Sequence, residues 1–178
     1  MMRPRQRRCS CALGLFLLAF SLPAPAQSQA SVDSIKAGFA YNFVKFTEWP
    51  AAAAGGSLRL CALERNPLDG QFALLQGRHV NNRPIEVRLR VSGGELASCH
   101  LLFLAGDDGE RSDAALKAVA GLPVLTVSDQ PGFAQRGGMI ELHEREGRMR
   151  FEVNLAAAQS VGLRLSSQML KLASKVWQ

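Results

Sequence analysis

The sequence predicts an α/β fold, a three-layer sandwich in which a mostly parallel sheet carries helices on both faces and includes a late antiparallel hairpin. Three observations support this prediction. Short apolar runs typical of strands alternate with segments of helical periodicity, as in parallel sheets joined by crossover helices. Residues 99–104 (CHLLFL) are almost continuously apolar, which suits a strand buried on both faces. Residues 137–142 and 149–153 flank a polar, glycine-containing turn, which predicts the hairpin.

The first predicted element is a helix over residues 33–48. Asp33 is its predicted N-cap, and Pro50 prevents the helix from continuing. Tyr41 and Trp49 fall outside the predicted apolar face, so we interpret them as candidates for contact with a partner. That face is defined by four apolar residues at helical spacing: Ile35, Phe39, Phe43 and Phe46.

The remaining elements follow from apolar periodicity. Before the hairpin, strands are predicted at residues 57–63, 84–91, 99–104 and 122–127. Helices are predicted at residues 67–76, 110–120, 155–160 and 167–175. In the second strand, apolar residues from Ile85 to Val91 alternate with charged side chains, so one face is expected to be buried and the other wet. No internal segment is long or polar enough to divide the chain, and residues 27–178 are predicted to form one domain.

The charge distribution argues against nucleic acid as the main partner. The chain has 178 residues, of which 47% are hydrophobic and 20% charged, and a formal net charge of +6. Four of its 21 basic residues lie within the first 26 positions, where there is no acidic residue, which leaves 17 basic residues against 15 acidic ones. Because basic and acidic residues after position 26 are nearly equal in number, this part of the chain lacks the excess of positive charge typical of a nucleic-acid-binding protein.

Residues 1–26 have the three parts of a secretory signal peptide. A basic start is followed by an apolar run over 11–22 and by Ala24-Pro25-Ala26, so cleavage is predicted after Ala26. The apolar run is about half the roughly 20 residues that a membrane span needs, although an uncleaved anchor is the alternative interpretation. Arg7-Arg8 raises a twin-arginine signal as a second alternative. The predicted product is periplasmic if the source is Gram-negative.

Two cysteines remain after such a cleavage, Cys61 and Cys99, separated by 38 positions. An even number of cysteines in an oxidising compartment favours a disulfide. Two free buried thiols or a redox-active pair are the alternatives. The mature chain contains no C-x-x-C motif, which gives thioredoxin-like chemistry little support.

Catalytic and metal-binding motifs are sparse, and we predict a protein without catalytic residues, cofactor or metal. The sequence has neither a G-x-S-x-G elbow nor a phosphate-binding loop. Its histidines, His79, His100 and His143, fall in separate elements, without the close spacing of helical metal ligands. The acidic run 107–110 lies directly before a predicted helix, where carboxylates cap and stabilise the N-terminus.

Several segments together resemble the YfiR-like family. They are residues 36–50 (KAGFAYNFVKFTEWP), 99–104 (CHLLFL), 122–142 (LPVLTVSDQPGFAQRGGMIEL) and 148–173 (RMRFEVNLAAAQSVGLRLSSQMLKLA). The resemblance extends in order and spacing from about Ser34 to the C-terminus. It implies a compact α/β domain that can dimerise, and it identifies Cys61 and Cys99 with the family's cysteine pair. Some members carry a second pair near the hairpin, and this chain has none there.

The resemblance also implies a function, namely that of a periplasmic regulator without catalysis. In the family's best-known system, the protein binds the periplasmic sensor domain of an inner-membrane diguanylate cyclase and keeps it inactive, which lowers cyclic-di-GMP. An outer-membrane lipoprotein can sequester this repressor. Other members are associated with histidine kinases or receptors. The alternative function is therefore a periplasmic small-molecule-binding sensor acting on such a partner, with its pocket at the carboxyl ends of the parallel strands.

A partner-binding surface requires an apolar centre with a polar rim. Besides Tyr41 and Trp49, the candidates lie on the hairpin and near the C-terminus: Met139, Ile140, Leu163, Arg164, Leu165, Ser166 and Ser167. For the apolar members, core packing is the alternative interpretation. Arg164 is the best single candidate, because an arginine is costly to bury without a partner.

Overall fold

The computed structural model describes residues 31–106 and 108–178. The predicted signal peptide (residues 1–26), its cleavage after Ala26, and Asp107 lie outside these ranges. Among the described residues, no helix combines the length and the apolar character required to cross a bilayer.

The described chain contains ten strands and four α-helices. The strands in chain order are β1 (Thr47–Glu48), β2 (Leu58–Ala62), β3 (His79–Val80), β4 (Arg83–Leu89), β5 (Leu101–Leu104), β6 (Leu125–Ser128), β7 (Ile140–Arg145), β8 (Arg148–Asn154), β9 (Arg164–Leu165) and β10 (Lys175–Trp177). The helices are α1 (Val32–Lys45), α2 (Gly109–Ala118), α3 (Leu155–Ser160) and α4 (Ser167–Leu172). Four 3₁₀ segments connect them, at Ala51–Ala53, Pro67–Gly70, Ala73–Leu75 and Gly93–Ser98.

Eight of the strands form one sheet in the order β10-β8-β7-β6-β5-β2-β4-β3. Strands β4, β2, β5, β6 and β7 are parallel neighbours, and β10 lies parallel to β8. The pairs β7–β8 and β3–β4 are antiparallel. The predicted mostly parallel sheet and its late hairpin are therefore confirmed. The hairpin turn places Glu146 and Gly147 at φ of 55° and 69°, as the primed turns of two-residue hairpins require.

Apolar side chains from both faces of the sheet produce the three layers. On one face, α1 and the segments between β2 and β3 cover the sheet, and the rings of Phe43 and Phe151 meet edge-on at 5.1 Å. On the other face, α2 and Gly93–Ser98 pack over Leu102 and Leu104. Successive residues of β5 alternate between these two clusters, and all four are buried, which confirms the strand expected in residues 99–104.

The first helix differs from its prediction at both ends. Ser31 is the N-cap, with its Oγ accepting from the Ser34 N–H at 3.1 Å, so the prediction that Asp33 caps the helix is wrong. Ile35 is 39% exposed instead of lying on the buried face. The other predicted residues do face the core: Phe43 is buried, and Phe39 and Phe46 pack against it half-buried. Ala37, Ala40 and Val44 complete the buried face, because small residues let the helix approach the sheet closely.

Four further predictions also need correction. Residues 67–76 form two 3₁₀ turns instead of one helix, with Leu68 at a positive φ of 54°. Val91 does not share the face of Ile85, because Arg90 at φ 59° reverses the strand's alternation and directs Val91 into the opposite apolar cluster. Residues 47–48 leave the first helix as β1. The last predicted helix stops at Leu172, and the chain returns to the sheet as β10.

A disulfide joins Cys61 and Cys99, as the sequence favoured. Cys61 lies in the interior strand β2 and is fully buried, and Cys99 follows the Gly93–Ser98 turn two positions before β5. Their Cα atoms are 5.9 Å apart. The bond therefore closes the crossover between two adjacent strands of the core.

Replacing both Cys61 and Cys99 by alanine should lower the free energy of unfolding by about 2–4 kcal/mol, because the cross-link restricts the unfolded chain. Urea denaturation followed by circular dichroism measures the change. As a control, wild-type protein is unfolded without reductant and treated with an alkylating agent, which should modify neither cysteine. Modification of both would contradict the disulfide.

Gly138→Ala should lower the free energy of unfolding by about 1–3 kcal/mol, as overpacking does. A Cβ at this position would lie 2.2 Å from Cε1 of the buried Phe133 ring. Gly55→Ala is the matched control, since its Cβ would meet nothing within 4 Å. Equal denaturation midpoints for the two variants would contradict this packing at the start of the hairpin.

Candidate functional site

A small two-stranded ribbon lies apart from the main sheet. Strands β1 and β9 pair antiparallel, with Thr47 opposite Leu165 and Glu48 opposite Arg164. The N–H of Ser166 extends the pairing by donating to the Phe46 carbonyl at 2.9 Å. The ribbon brings the end of α1 together with the segment after α3.

Arg164 and Glu48 form an ion pair on the ribbon. The Nη2 and Nε atoms of Arg164 lie 2.6 Å and 3.1 Å from the same Glu48 oxygen, Oε2. The two side chains are 81% and 70% exposed. Such exposed pairs contribute little to stability, because water and salt screen them. The guanidinium can therefore exchange this carboxylate for one on another molecule at small cost.

Two adjoining cavities border the ion pair. One, of about 320 Å³, is lined by residues of both ribbon strands and by Asn81 of the β3–β4 turn, and the other, of about 290 Å³, reaches Trp49 and Arg83. We define the ribbon surface by six residues around these cavities: Lys45, Phe46, Glu48, Asn81, Arg164 and Ser166. It combines a half-buried aromatic ring with charged and amide groups, which is the composition of a small interaction surface.

The structure separates the sequence-derived interface candidates into two groups. Arg164, Ser166 and Ser167 are at or near the ribbon surface, whereas Leu165 points inward from β9. Met139, Ile140 and Leu163 are buried in the core that contains α1, with exposures of 6%, 0% and 0%. These three support the fold from inside and present no surface to a partner.

Tyr41 and Trp49 are half-buried against the same core. The Tyr41 hydroxyl donates to the His79 carbonyl at 3.0 Å, and the guanidinium of Arg78 lies 4.4 Å from the centre of its ring. Trp49 packs edge-on against His100, and its buried Nε1–H has no acceptor within the described parts of the chain. Both residues hold elements together beside the ribbon.

Arg83 fixes the loop that follows Trp49. Its Nε donates to the Gly56 carbonyl at 2.9 Å, and its Nη2 donates to the Gly55 carbonyl at 2.8 Å. One guanidinium thus satisfies carbonyl groups that the glycine-containing loop leaves without strand partners. Because Trp49 connects this loop to β1, Arg83 also helps to position the ribbon.

His100, as a neutral imidazole, also fixes the loop that follows Trp49. Its Nδ1 accepts from the backbone N–H of Arg59 at 3.1 Å, so the proton is carried by Nε2, which donates to the Ala53 carbonyl at 3.0 Å. Burial lowers the pKa of His100, and the nearby charges of Arg83 and Arg59 lower it further, although the bond to Ala53 acts in the opposite direction. Protonation of Nδ1 would break the bond to β2.

The carboxyl ends of the parallel strands carry charged groups. Lys36 of α1 lies 2.6 Å from Asp129 after β6, and burial raises the pKa of the Glu64 carboxyl after β2. Within residues 31–106 and 108–178, no three His, Cys, Asp or Glu side chains group as metal ligands do.

The N-terminus of α2 is capped by Asp108, which accepts from the Arg111 N–H at 3.0 Å, as expected from the acidic run.

A cavity of about 580 Å³ lies between α2 and α3, away from those carboxyl ends. It borders Thr126 near the start of β6 and Met139 just before β7. Sequence patterns do not reveal this cavity, because its walls come from separate segments spread over residues 113–161. Likewise, nothing in the sequence marks Glu48 as the partner of Arg164, 116 positions away.

A family model described as YfiR/HmsC-like matches residues 33–174. The match spans α1 through α4, and thus includes the ribbon, the disulfide and the α2–α3 cavity.

Acidification should destabilise the protein through His100. Because its pKa is lower in the folded than in the unfolded state (about 6.5 unfolded), the unfolded chain binds more protons below that value. The free energy of unfolding should therefore fall as the pH drops from about 7.5 to about 5.5, and this dependence should be weaker in His100→Asn.

Urea denaturation at both pH values measures this difference, with His143→Asn on β7 as the matched histidine substitution. For each variant, the pH-dependent change in the free energy of unfolding is subtracted from that of wild type, and the difference is the contribution of one histidine. The same pH dependence in wild type and His100→Asn would contradict the neutral, hydrogen-bonded state of His100.

Proposed function

The chain belongs to the YfiR/HmsC-like family, and from this premise we propose that it inhibits an inner-membrane diguanylate cyclase by binding its periplasmic sensor domain. Family membership supports a periplasmic regulator of a diguanylate cyclase. The specific proposal is an exported, non-catalytic protein whose binding lowers cyclic-di-GMP. An outer-membrane lipoprotein that sequesters the repressor, and a homodimer, are further interactions that this proposal includes.

The observation that carries the contact is the exposed Arg164–Glu48 pair on the ribbon surface. Arginine is favoured at interfaces because its planar fork binds carboxylates through two hydrogen bonds while its flat face packs on apolar groups. In the free protein Arg164 directs two of its N–H donors to Glu48, in an exposed pair that stabilises the fold little. A carboxylate of the cyclase sensor domain is the proposed replacement.

The ribbon also has the rigidity that a binding surface needs. Leu163 and Leu165 anchor β9 in the core, and Trp49, Arg83 and His100 hold the chain beside β1. A preorganised surface loses less conformational entropy on binding. Met139 and Ile140 are outside the proposed contact because they are buried.

The proposed mechanism is a population shift. A sensor domain that alternates between an active and an inactive state is biased toward whichever state the repressor binds more tightly. No group on this chain needs to reach the cyclase active site, which lies across the membrane. Repression then depends on the occupancy of the ribbon surface, and sequestration of the repressor releases the enzyme.

The second candidate function is a periplasmic small-molecule sensor that acts on a kinase or receptor. The α2–α3 cavity favours it, because about 580 Å³ lies within the range of small-molecule sites. The cavity lies away from the carboxyl ends of the strands, where the parallel topology predicted a pocket.

Deleting the gene should raise cellular cyclic-di-GMP, and complementation with the full chain should restore the low level. A gene lacking residues 1–26 should not restore it, because the product would stay on the wrong side of the membrane. An exported Arg164→Glu variant should also fail, since it would repel the acidic group proposed to contact it.

Arg88→Glu is the matched control, because Arg88 likewise pairs with a carboxylate at 2.6 Å on an exposed surface, but on β4. It should repress like wild type, and both variants should keep the wild-type denaturation midpoint. Unchanged cyclic-di-GMP on deletion would contradict the cyclase as target. Full repression by folded Arg164→Glu would contradict the ribbon as the contact.

A further inference from the structure

We propose that the α2–α3 cavity binds a small organic anion in which a carboxylate is carried on an apolar body. This inference deepens the sensor function proposed above by naming the site and the ligand class. Its test uses purified protein and is independent of any membrane partner.

Most of the cavity wall is apolar. Leu116 and Val119 line it on the side of α2, and Ala157 and Val161 line it on the side of α3. Met139 also contributes to the wall. A volume of about 580 Å³ accommodates an alkyl chain or one or two rings. Transferring such a body from water into these walls supplies the main driving force for binding.

The charged groups at the cavity favour an anion. Lys117 and Arg136 are cationic, and the only carboxylate among the lining residues, Asp113, lies 3.4 Å from Nε of Arg136. Lys117 has no ion-pair partner among the residues that the structure describes. The charged lining residues therefore carry a net charge of +1, which favours a ligand carboxylate.

The C-terminal ends of the helices that border the cavity do not cancel the positive charge of its lining. Carbonyl groups at the C-terminus of a helix carry partial negative charge, which would disfavour an anion. Here, the Lys117 carbonyl accepts from the Ala120 N–H at 3.3 Å, and the Gln159 carbonyl accepts from the Gly162 N–H at 3.0 Å. With these carbonyls occupied, the full charges of the side chains dominate.

Thr126 adds a polar group to the lining. It is 1% exposed, and its Oγ1 accepts from the Met139 N–H at 3.0 Å. Its own hydroxyl proton has no acceptor in residues 31–106 and 108–178. A ligand oxygen would provide one, which satisfies a buried donor and fixes the orientation of the ligand.

Arg136 is held in place before any ligand arrives. Its Nη1 donates to the Pro131 carbonyl at 2.9 Å, and the turn that follows it places Gly137 at φ 98°. A cation positioned by the protein binds an anion with a smaller entropic cost than a free side chain does. Lys117 supplies the mobile charge, and Arg136 supplies the fixed one.

Isothermal titration with three probes that share one alkyl chain tests the ligand class. Octanoate should bind saturably at one site, octanol should bind about tenfold more weakly, and octylamine should show no binding. Absence of octanoate binding at millimolar concentration, or equal affinity for octylamine, would overturn the proposal.

Variants locate the site. Lys117→Gln should weaken octanoate binding about fivefold, and Ala120→Trp should abolish it by filling the cavity from its exposed rim. Lys171→Gln on α4 removes the same charge elsewhere and should bind like wild type. Wild-type affinity in both cavity variants would place octanoate at another site and overturn the assignment.

The folded state of each variant is checked by its thermal midpoint. Arg164→Glu should bind octanoate normally, because it alters the ribbon and leaves the cavity intact. If the wild-type chain binds octanoate but does not lower cyclic-di-GMP, the proposed inhibition of a cyclase is wrong and the anion site stands. If it lowers cyclic-di-GMP but does not bind octanoate, the anion site is wrong and the proposed inhibition stands.

Discussion

The parallel pairing of β2 with β5 determines where the other parts of the molecule lie. Both strands are buried on both faces, and the Cys61–Cys99 bond joins the core of β2 to a residue two positions before β5. The next residue, His100, accepts the backbone N–H of Arg59 and donates to the Ala53 carbonyl. The start of β5 therefore both closes the core through the disulfide and fixes, through His100, the loop that contains Ala53 and follows Trp49.

The two proposed binding regions are linked by one short stretch of chain. Val161 lines the α2–α3 cavity, and Arg164 of the ribbon follows three positions later. Between them, Gly162 adopts a φ of 79°, and a Cβ there would lie 3.8 Å from the ring of Pro50. A ligand that moves the end of α3 would therefore act on the position of β9 through few intervening contacts.

The sequence was most informative where the pattern is local. Strand alternation and the apolar run at residues 99–104 predicted the parallel sheet, and Glu146-Gly147 lies within the predicted turn of the hairpin. Features that depend on distant partners were not predictable. Strand β9 has two residues and exists because β1 pairs with it, and β10 forms only alongside β8. Apolar spacing identified Phe43 on the buried face of α1, but it did not reveal the alanines that let the helix approach the sheet closely. Arg164 was identified as exposed from its chemistry, whereas its partner Glu48 and the cavity required the folded chain.

Site-specific photo-crosslinking in living cells tests the central claim most directly. A photoreactive amino acid replaces Asn81 on the ribbon surface or, as the control, Arg88 on β4, both exposed. Mass spectrometry then identifies the protein attached to each position. The account predicts that Asn81 crosslinks to the periplasmic domain of an inner-membrane diguanylate cyclase and that Arg88 does not. A cyclase crosslink at Arg88 alone, or none at either position, would contradict it.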